Sequence, residues 1–454
     1  MNSTDQSRII YPEQLSLQSV HIVRIVSIST TSFNRFVLNV MGPIPDSSCH
    51  VIQETGIPAY WPLCTAAKAF TTTILQPGGD LAYTTQQWKR ALETIRADDG
   101  PSIPNTSMRL CNHGELTDQG RRQMVSLGKQ LRQLYVDQLK LLPPLLTDAR
   151  TVSFRSSPYL RALDSLQHVV WGLFPPSARS ASFGLPLIVM RSPEDETLLP
   201  NEDFCKRFIE MSKAYARRTA DQWNESSEMT YLNSLLRKYM PSQKLPDEFY
   251  SSKVADIIDK IAYEEEFGAY HESREMRRVG IGALLGDVTE RLVAHANHSA
   301  TTGDTNQKLF LAGSHDSTLG AIMASLGVVD VEAKRKWPPY ASALAIELFS
   351  DPEGEDMNPL DSTSTPRASY SQLSAEQKTR LKRYYVRMCY NGQALVVPGC
   401  RRPGHNWNGN ASFCSLATFK QVVDDFTPRN WKQTCKENLG EASFPRVAEP
   451  AGYW

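Results

Sequence analysis

The sequence predicts an α/β protein, in which the strands of a central sheet alternate with helices. Two stretches carry this prediction, because each has an apolar run of strand length followed by apolar residues at helical spacing. They are KLFLAGSHDSTLGAIMASLG (residues 308–327) and TVSFRSSPYLRALDSLQHVVWGLFPP (residues 151–176). Both place polar or charged residues between strand and helix, which is where ligands bind in open α/β sheets.

In the first stretch a His-Asp pair lies at the junction. Leu309 to Ser314 form the predicted strand, His315 and Asp316 follow it, and Ser317 is placed to cap the helix. A helix N-terminus offers free N–H groups and the positive end of a dipole. The pair therefore predicts an anion site, to which histidine adds positive charge and the acid a proton. The alternative is that both residues only cap the helix.

Length and charge narrow the classes of function. The chain has 454 residues, enough for one large domain or two joined ones. Lys plus Arg and Asp plus Glu each number 49, so the net charge is zero and no overall basic field recruits nucleic acid or a membrane surface. No apolar run approaches the roughly 18 residues of a spanning helix. We therefore expect no nucleic-acid partner and no membrane span, and the oligomeric state stays open.

The cysteines favour an oxidising compartment. There are eight, spread along the chain, and none forms the C-x-x-C pairs of a zinc site. Cys400 and Cys414 bracket a short polar loop that a disulfide would close, and we pair Cys435 with Cys111, although eight cysteines allow many other connectivities.

Glycosylation sequons point the same way. Five occur, at Asn2, Asn105, Asn224, Asn297 and Asn410. We expect a lumenal or extracellular glycoprotein, although the N-terminal MNSTDQSRIIYPEQ lacks a signal-peptide pattern. A reduced cytoplasmic protein is the alternative.

Taken in order, the chain divides into three parts. Residues 15–185 form the first part of the α/β core, and they begin with LSLQSVHIVRIV, a predicted central strand. Residues 44–108 are rich in Pro, Thr and Ser and predict a long surface excursion dominated by loops. Residues 186–300 are charged and rich in helix formers, so we expect a mostly helical cap. Residues 301–454 complete the core.

Within the first part, two helices are predicted. The helix after Leu110 has apolar residues at three- and four-residue steps, with Thr117 as N-cap and Arg121 on a solvated face. The helix after the strand of residues 151–154 follows Arg155, which is placed to hold a phosphate or carboxylate, whereas Arg161 is interpreted as structural.

In the last part, a strand and a hairpin are predicted. ASALAIELFS (residues 341–350) has the pattern of a strand. YYVRMCYNGQALVV then predicts a hairpin, with Asn391-Gly392 as its tight turn.

Together these motifs resemble the histidine acid phosphatase family. The resemblance rests on GELTDQGRRQMVSLGKQLRQLY, FRSSPYLRALDSLQHVVWGLFPP, SHDSTLGAIMASLG and the NG hairpin followed by PGC, in this order. It is closest to the branch of acid phosphatase-like and 2-phosphoxylose phosphatase proteins. It implies the phosphoglycerate mutase-like fold, a three-layer sandwich with a mostly parallel central sheet flanked by helices, and a helical cap.

The resemblance also implies a chemistry without metal or cofactor. Phosphate monoesters are hydrolysed through a phosphohistidine, formed by the histidine of an RHGxRxP motif, while fixed cations stabilise the phosphoryl oxygens. Matched residue by residue, Arg24 is the first arginine of that motif and Arg155 a further phosphate-binding arginine. His315 is the second histidine, and Asp316 is the proton donor, which favours acidic pH.

The chain departs from the family at the nucleophile. It reads SVHIVRIVSISTTSFNRF, so Ile25 stands where the histidine is expected and G-x-R-x-P is missing. His21, four residues before Ile25, lies within the strand and is an unsuitable substitute. Because isoleucine cannot attack phosphorus, hydrolysis by this sequence is in doubt, and no nucleophile is assigned.

Two explanations are open. Val-Ser at residues 26–27 can be encoded by a GTAAGT-like splice donor, so the unpatterned segment to about Met41 would be translated intron; this fits the otherwise intact pattern. Alternatively, the protein is a pseudophosphatase that binds phosphate-bearing ligands through Arg24, Arg155 and His315. A phytase-like member would use the same core with a pocket rich in Lys and Arg. The physiological substrate is not fixed by these motifs.

Overall fold

The protein, analysed as a computed structural model, is a mixed α/β protein. The structure describes residues 15–25, 64, 69–75, 83–91, 93–96, 100–102, 111, 114–236, 251–297, 307–328, 337–351 and 367–454. The segment from residue 26 to 63, which includes most of the unpatterned stretch after Ile25, lies outside this set.

The strands fall into one large sheet and two small hairpins. In chain order they are β1 (Ser16–Ile25), β2 (Ala69–Leu75), β3 (Tyr83–Lys89), β4 (Thr94–Arg96), β5 (Gly100–Ser102), β6 (Val152–Ser156), β7 (Ile188–Val189), β8 (Leu309–Ser314), β9 (Ala343–Ser350), β10 (Tyr384–Tyr390), β11 (Gln393–Leu395), β12 (Asn406–Trp407) and β13 (Asn410–Ser415). β2 pairs with β3, and β4 with β5. The predicted excursion at residues 44–108 thus contains two hairpins that its composition did not indicate, and the rest of it lies outside the described residues.

The α-helices are distributed along the described chain from Asp118 to Thr434. In chain order they are α1 (Asp118–Arg132), α2 (Leu160–Leu173), α3 (Lys206–Asn224), α4 (Ser227–Leu236), α5 (Ser252–Glu272), α6 (Arg274–Gly280), α7 (Gly282–Asn297), α8 (Asp316–Ser325), α9 (Ala375–Leu381), α10 (Leu416–Asp424) and α11 (Trp431–Thr434). Five of these, α3 to α7, lie between β7 and β8. No helix among the described residues is both long and apolar enough to span a membrane.

The large sheet is parallel in one half and antiparallel in the other. Its order is β12-β13-β10-β9-β1-β8-β6-β7, with β11 beside β10. β1, β8, β6 and β7 pair in parallel, whereas β9, β10, β11, β12 and β13 join by antiparallel pairs. The expectation of a mostly parallel sheet is therefore wrong for the sheet as a whole. Within this half, the two-residue turns after β10 and after β12 reverse the chain at once and leave no room for a helical crossover.

The turn after β10 has the backbone expected of a tight hairpin. Asn391 and Gly392 both have positive φ, 48° and 82°, as a turn matching the twist of the strands requires. The predicted hairpin is confirmed, as is the strand β9.

The two largest apolar clusters of the described residues pack against the sheet. One joins β6 and β8 to α1 and α2, and the other joins β9 and β10 to helices that include α5, α7, α8 and α10. Successive residues of β9 join different clusters: Leu344 and Ile346 belong to the second, whereas Ala345 packs against the first. This follows from the alternation of side chains along a strand.

Helices α1 and α2 approach each other closely at two glycines. A Cβ atom on Gly128 would collide with the carbonyl oxygen of Val169, and one on Gly172 with that of Val125.

The predicted N-cap of α1 is confirmed, since the Thr117 hydroxyl accepts a hydrogen bond from the N–H of residue 120.

Arg121, at the start of α1, does not belong to a solvated face as expected. Its side chain is only 14% exposed and forms an ion pair with Asp164 of α2 at 2.7 Å. It also donates a hydrogen bond to the carbonyl of Leu116 at 2.6 Å. The residue therefore helps to join α1 to α2.

The disulfides confirm one of the two predicted pairs. Cys400 is bonded to Cys414, as expected from the short loop. The pairing of Cys435 with Cys111 is wrong, because Cys435 is bonded to Cys205 and Cys111 to Cys64. Cys205 precedes α3, and the backbone N–H of the residue two positions later donates to the carbonyl of Cys435 at 3.0 Å. Folding thus brings together two cysteines that are 230 residues apart.

Candidate functional site

The predicted site lies at the carboxyl ends of three adjacent parallel strands. β8 runs between β1 and β6, and Gly313 of β8 is in register with Arg24 of β1 and Ser156 of β6. The chain leaves β8 through His315 and enters α8 at Asp316. Residues following these strands are therefore neighbours, although they are separated widely in sequence.

His315 is buried and held on two sides. Its Nε2 lies 2.7 Å from the hydroxyl oxygen of Ser157, which follows β6. The backbone N–H of Ser157 donates to the carbonyl of Gly313 at 3.1 Å, so the ends of β6 and β8 are joined. The ring of Tyr159 meets the imidazole edge-on, with 5.1 Å between centroids.

The surroundings keep this imidazole uncharged. Burial, assisted by the positive charge of Arg161, lowers the pKa of His315 to about 3. In the structure, the His315 ring is therefore neutral, with Nε2 in contact with Ser157, and lacks the positive charge expected from the sequence. An anion bound beside the ring would favour its protonation.

Asp316 is the first residue of α8 and is fixed through both carboxylate oxygens. Oδ1 accepts a hydrogen bond from the backbone N–H of Ser317 at 3.1 Å, and Oδ2 accepts one from the indole Nε1 of Trp337 at 2.8 Å. The helix cap differs from the prediction: His315 is the N-cap residue, and its N–H donates to the hydroxyl of Thr318 at 3.2 Å. Ser317 is not the cap.

Arg161, interpreted from sequence as structural, lies near this pair. It is the second residue of α2, and its guanidinium carbon lies 4.7 Å from the centre of the Tyr159 ring. Burial lowers the pKa of Arg161, and the charge of Asp316 opposes this effect. Its Nε has no hydrogen-bond partner among the described residues. The signal in the sequence was its place in the first turn of a helix that follows a sheet strand, at the end that attracts anions.

Arg155, the arginine chosen from sequence, lies at the end of β6 and forms an ion pair with Glu196. Its Nη2 donates to Glu196 Oε1 at 2.6 Å and to the Thr197 hydroxyl at 3.2 Å. The same oxygen of Glu196 accepts the N–H groups of Thr197 and Leu198, at 2.7 and 2.6 Å. Burial lowers the pKa of Arg155, and the neighbouring Glu196 carboxylate opposes this. This arginine therefore fixes the chain after β7 to the end of β6.

The same segment touches α8. The carbonyl of Leu198 accepts a hydrogen bond from the hydroxyl of Thr318, which itself accepts the N–H of His315. Arg155 and Arg161 differ in their partners. Arg155 pairs with the carboxylate of Glu196, whereas no ion pair of Arg161 is found in the part of the chain that the structure describes.

The first-strand residues are placed by their backbone alone. Arg24 pairs with Gly313 of β8, and Ile25 pairs with Ser314. Ile25 therefore occupies the strand position next to the one that leads into His315. The side chains of both residues lie outside the described part of the structure. No group of three or more His, Cys, Asp or Glu side chains that suits a metal ion occurs among the described residues.

Comparison with known proteins decides the family. The model of the histidine phosphatase superfamily (branch 2) matches residues 67–391. The chain belongs to this superfamily. Its assignment agrees with the resemblance to histidine acid phosphatases. The matched range begins after Arg24 and includes Arg155, Arg161, His315 and Asp316.

Curated proteins are similar to this chain over most of their length. A protein named probable acid phosphatase from Schizosaccharomyces pombe is 30% identical, covering 94% of this chain and 95% of that protein. Human lysophosphatidic acid phosphatase type 6 is 26% identical, covering 71% and 69%. Among solved structures, the apo multiple inositol polyphosphate phosphatase of Bifidobacterium longum aligns with a TM-score of 0.49 at 10% identity, covering 91% of this chain and 93% of that one.

Proposed function

We propose that the protein binds phosphate monoesters at the His315–Asp316 junction and belongs functionally with the histidine acid phosphatases. The observation that carries the proposal is a buried imidazole and a carboxylate at the start of α8, beside Arg161, which lacks a described carboxylate partner. In a low-dielectric site a guanidinium without a counter-ion attracts a phosphoryl dianion strongly.

The phosphoryl group would lie among Arg161, His315, Arg155 and the start of α8. Arg161 supplies charge, the ring of His315 would exchange its contact with Ser157 for a phosphoryl oxygen, and the N-terminus of α8 adds the positive end of its dipole. Arg155 contributes from the end of β6 with the N–H groups that Glu196 leaves unused. Once the dianion is bound, His315 would take up a proton, because an adjacent negative charge favours the imidazolium.

Asp316 is the proposed proton donor to the leaving oxygen. Trp337 and the N–H of Ser317 fix its carboxyl group, so that a protonated oxygen would be aimed at one place. Since the acid must be protonated at the moment of bond cleavage, the reaction is favoured at acidic pH.

The covalent step is the one this sequence does not support. A phosphohistidine requires an imidazole at the end of β1, and Ile25 stands there. A chain translated as printed would bind phosphate monoesters without turning them over at the rate of the family. A message spliced to encode histidine beside Arg24 would restore the phosphatase.

The decisive experiment combines turnover and binding. The purified chain is assayed with p-nitrophenyl phosphate and titrated with vanadate, and the transcript across residues 24–41 is sequenced. We expect vanadate binding with negligible hydrolysis, and loss of binding in Arg161→Gln but not in the control Arg122→Gln, whose side chain is exposed on α1. Unchanged vanadate affinity in Arg161→Gln would refute the site. Rapid hydrolysis by the chain as printed would refute the role of Ile25.

We propose also that the chain has the three-layer arrangement of its family, with residues 186–300 as a cap beside the site and residues 15–185 and 301–454 as the core. The two apolar clusters and the contact between Leu198 and Thr318 support this.

We propose a lumenal or extracellular location, because the three disulfides favour an oxidising compartment.

A further inference from the structure

A second cavity is basic, and its lining does not include His315, Asp316 or Arg161. It has a volume of about 510 Å³ and lies between the chain after β7, the start of α7 and the segment before α11. Its charged lining consists of four cations and two acids, which are Arg191, Arg367, Arg429, Lys432, Asp195 and Asp287. The formal excess is two positive charges, in a chain whose net charge is zero.

Two of the four cations share one carboxylate. Arg191 forms an ion pair with Asp287 at 3.2 Å, and Arg367 binds the other oxygen of the same carboxylate. Asp287 also attracts the charges of Arg155 and Arg291, and Arg191 repels both of these charges. Asp287 therefore pairs with two guanidinium groups, of which Arg367 also lies 3.7 Å from Glu290. An added anion would reduce the repulsion between these cations.

Two further cations stand at the wall of the cavity. Arg429 is exposed, and the structure gives it no ion pair with any described residue. Lys432 pairs with Asp195 and is 62% exposed on its side chain. Between them lies the half-buried Trp431, whose indole Nε1 donates to the carbonyl of Val279 at 2.9 Å and so holds the ring in place.

We propose that this cavity is a second anion-binding site, which takes a small organic phosphate with a planar ring. Its volume is that of a site for a small molecule. Guanidinium groups bind phosphate oxygens in pairs, and a fixed indole offers a face for a ring to stack upon. The proposal does not rest on the proposed function, because it uses none of His315, Asp316 and Arg161, although the cavity meets the proposed site at Thr197, which accepts hydrogen bonds from both Arg155 and Arg191.

The site is tested with phenylphosphonate, which has a ring and a dianion but no ester bond to hydrolyse. Isothermal titration is carried out on Arg161→Gln protein, in which the proposed active site is disabled, and on the same protein with Arg429→Gln and Lys432→Gln added. We expect roughly tenfold or greater weakening on removing the two charges. The exchange Arg429→Lys with Lys432→Arg keeps both charges and should retain affinity within about threefold.

The charge-matched control is Arg401→Gln with Lys436→Gln, two exposed residues outside the cavity. It should leave phenylphosphonate affinity unchanged. Equal weakening by this control, or no binding by Arg161→Gln protein before the cavity charges are removed, would overturn the proposal. The proposed function is judged separately, by the effect of Arg161→Gln on vanadate binding.

Discussion

The indole of Trp337 donates a hydrogen bond to Asp316 at 2.8 Å, and it thereby orients the first carboxylate of α8. The same indole packs on Phe267 of α5, with 5.2 Å between ring centroids. The proposed proton donor is therefore positioned through a contact with the helical segment that lies between β7 and β8.

Replacement of Trp337 by phenylalanine should remove this bond and keep most of the packing. We expect a loss of roughly 1–2 kcal/mol in the free energy of unfolding, measured by urea denaturation, because a carboxylate oxygen loses its donor. Trp171→Phe, at an exposed indole on α2, is the control and should change stability little. Equal stabilities for the two variants would show that the hydrogen bond contributes nothing measurable.

The low pKa of His315 should appear in the pH dependence of stability. Since the pKa of His315 is about 3 in the folded protein and near its usual value of about 6.5 when unfolded, the unfolded chain binds the extra proton first as pH falls. The contribution of His315 to the free energy of unfolding is therefore fully present above about pH 6.5. As the pH falls from there to about pH 3, it decreases by about 1.4 kcal/mol per pH unit.

His315→Gln removes this titration. Between pH 6.5 and about pH 5 its unfolding free energy should fall less steeply than that of the unaltered protein, in urea titrations at a series of pH values. Parallel curves for the two proteins would contradict a neutral, buried imidazole.

Vanadate binding should be accompanied by protonation of His315. Calorimetric titrations at pH 6 in buffers of different ionisation enthalpy report the protons exchanged. We expect greater proton uptake by the unaltered protein than by His315→Gln, because the bound anion favours the imidazolium. If both proteins take up the same number of protons, His315 does not adjoin the anion.

The contact between α1 and α2 should not tolerate a methyl group. Gly128→Ala places a Cβ against the backbone of α2, so we expect a loss of roughly 2–4 kcal/mol in the free energy of unfolding. Gly268→Ala, within α5 and with open space around the new atom, should stabilise by roughly 0.5–1 kcal/mol. Thermal and urea denaturation of both variants measure these changes. An unchanged free energy of unfolding for Gly128→Ala would mean that α1 and α2 can move apart at no cost.

Glycosylation should distinguish between the sequons. Asn224 and Asn410 are exposed, whereas Asn297 is buried and its carbonyl accepts a hydrogen bond from Arg380. Expression through a eukaryotic secretory pathway, followed by glycosidase digestion and peptide mass spectrometry, should find glycan at Asn224 or Asn410 and none at Asn297. Glycan at Asn297 in folded protein would contradict the burial of this side chain.

Local patterns predicted most of the elements around the site. The strand before His315, the two helices that pack at Gly128, and the turn at Asn391 each follow from residues close in sequence, because periodicity and turn geometry are local. The mixed direction of the sheet was missed, since strand pairing joins distant segments.

The same distinction applies to the site. His315 and Asp316 adjoin each other in the chain and were recognised together. Arg161 was overlooked because its proximity to them depends on how α2 packs beside β8. The phosphate-binding role of Arg155 stays a prediction, and its ion pair with Glu196, 41 residues away, could not be recognised from sequence.

The bond between Cys205 and Cys435 turns about half of the chain into a covalent ring, since these residues are 230 positions apart in a chain of 454. The ring carries His315, Asp316 and the cations of the second cavity other than Arg191. A single proteolytic cut within it would leave the two fragments attached, and they would separate on a denaturing gel only after reduction.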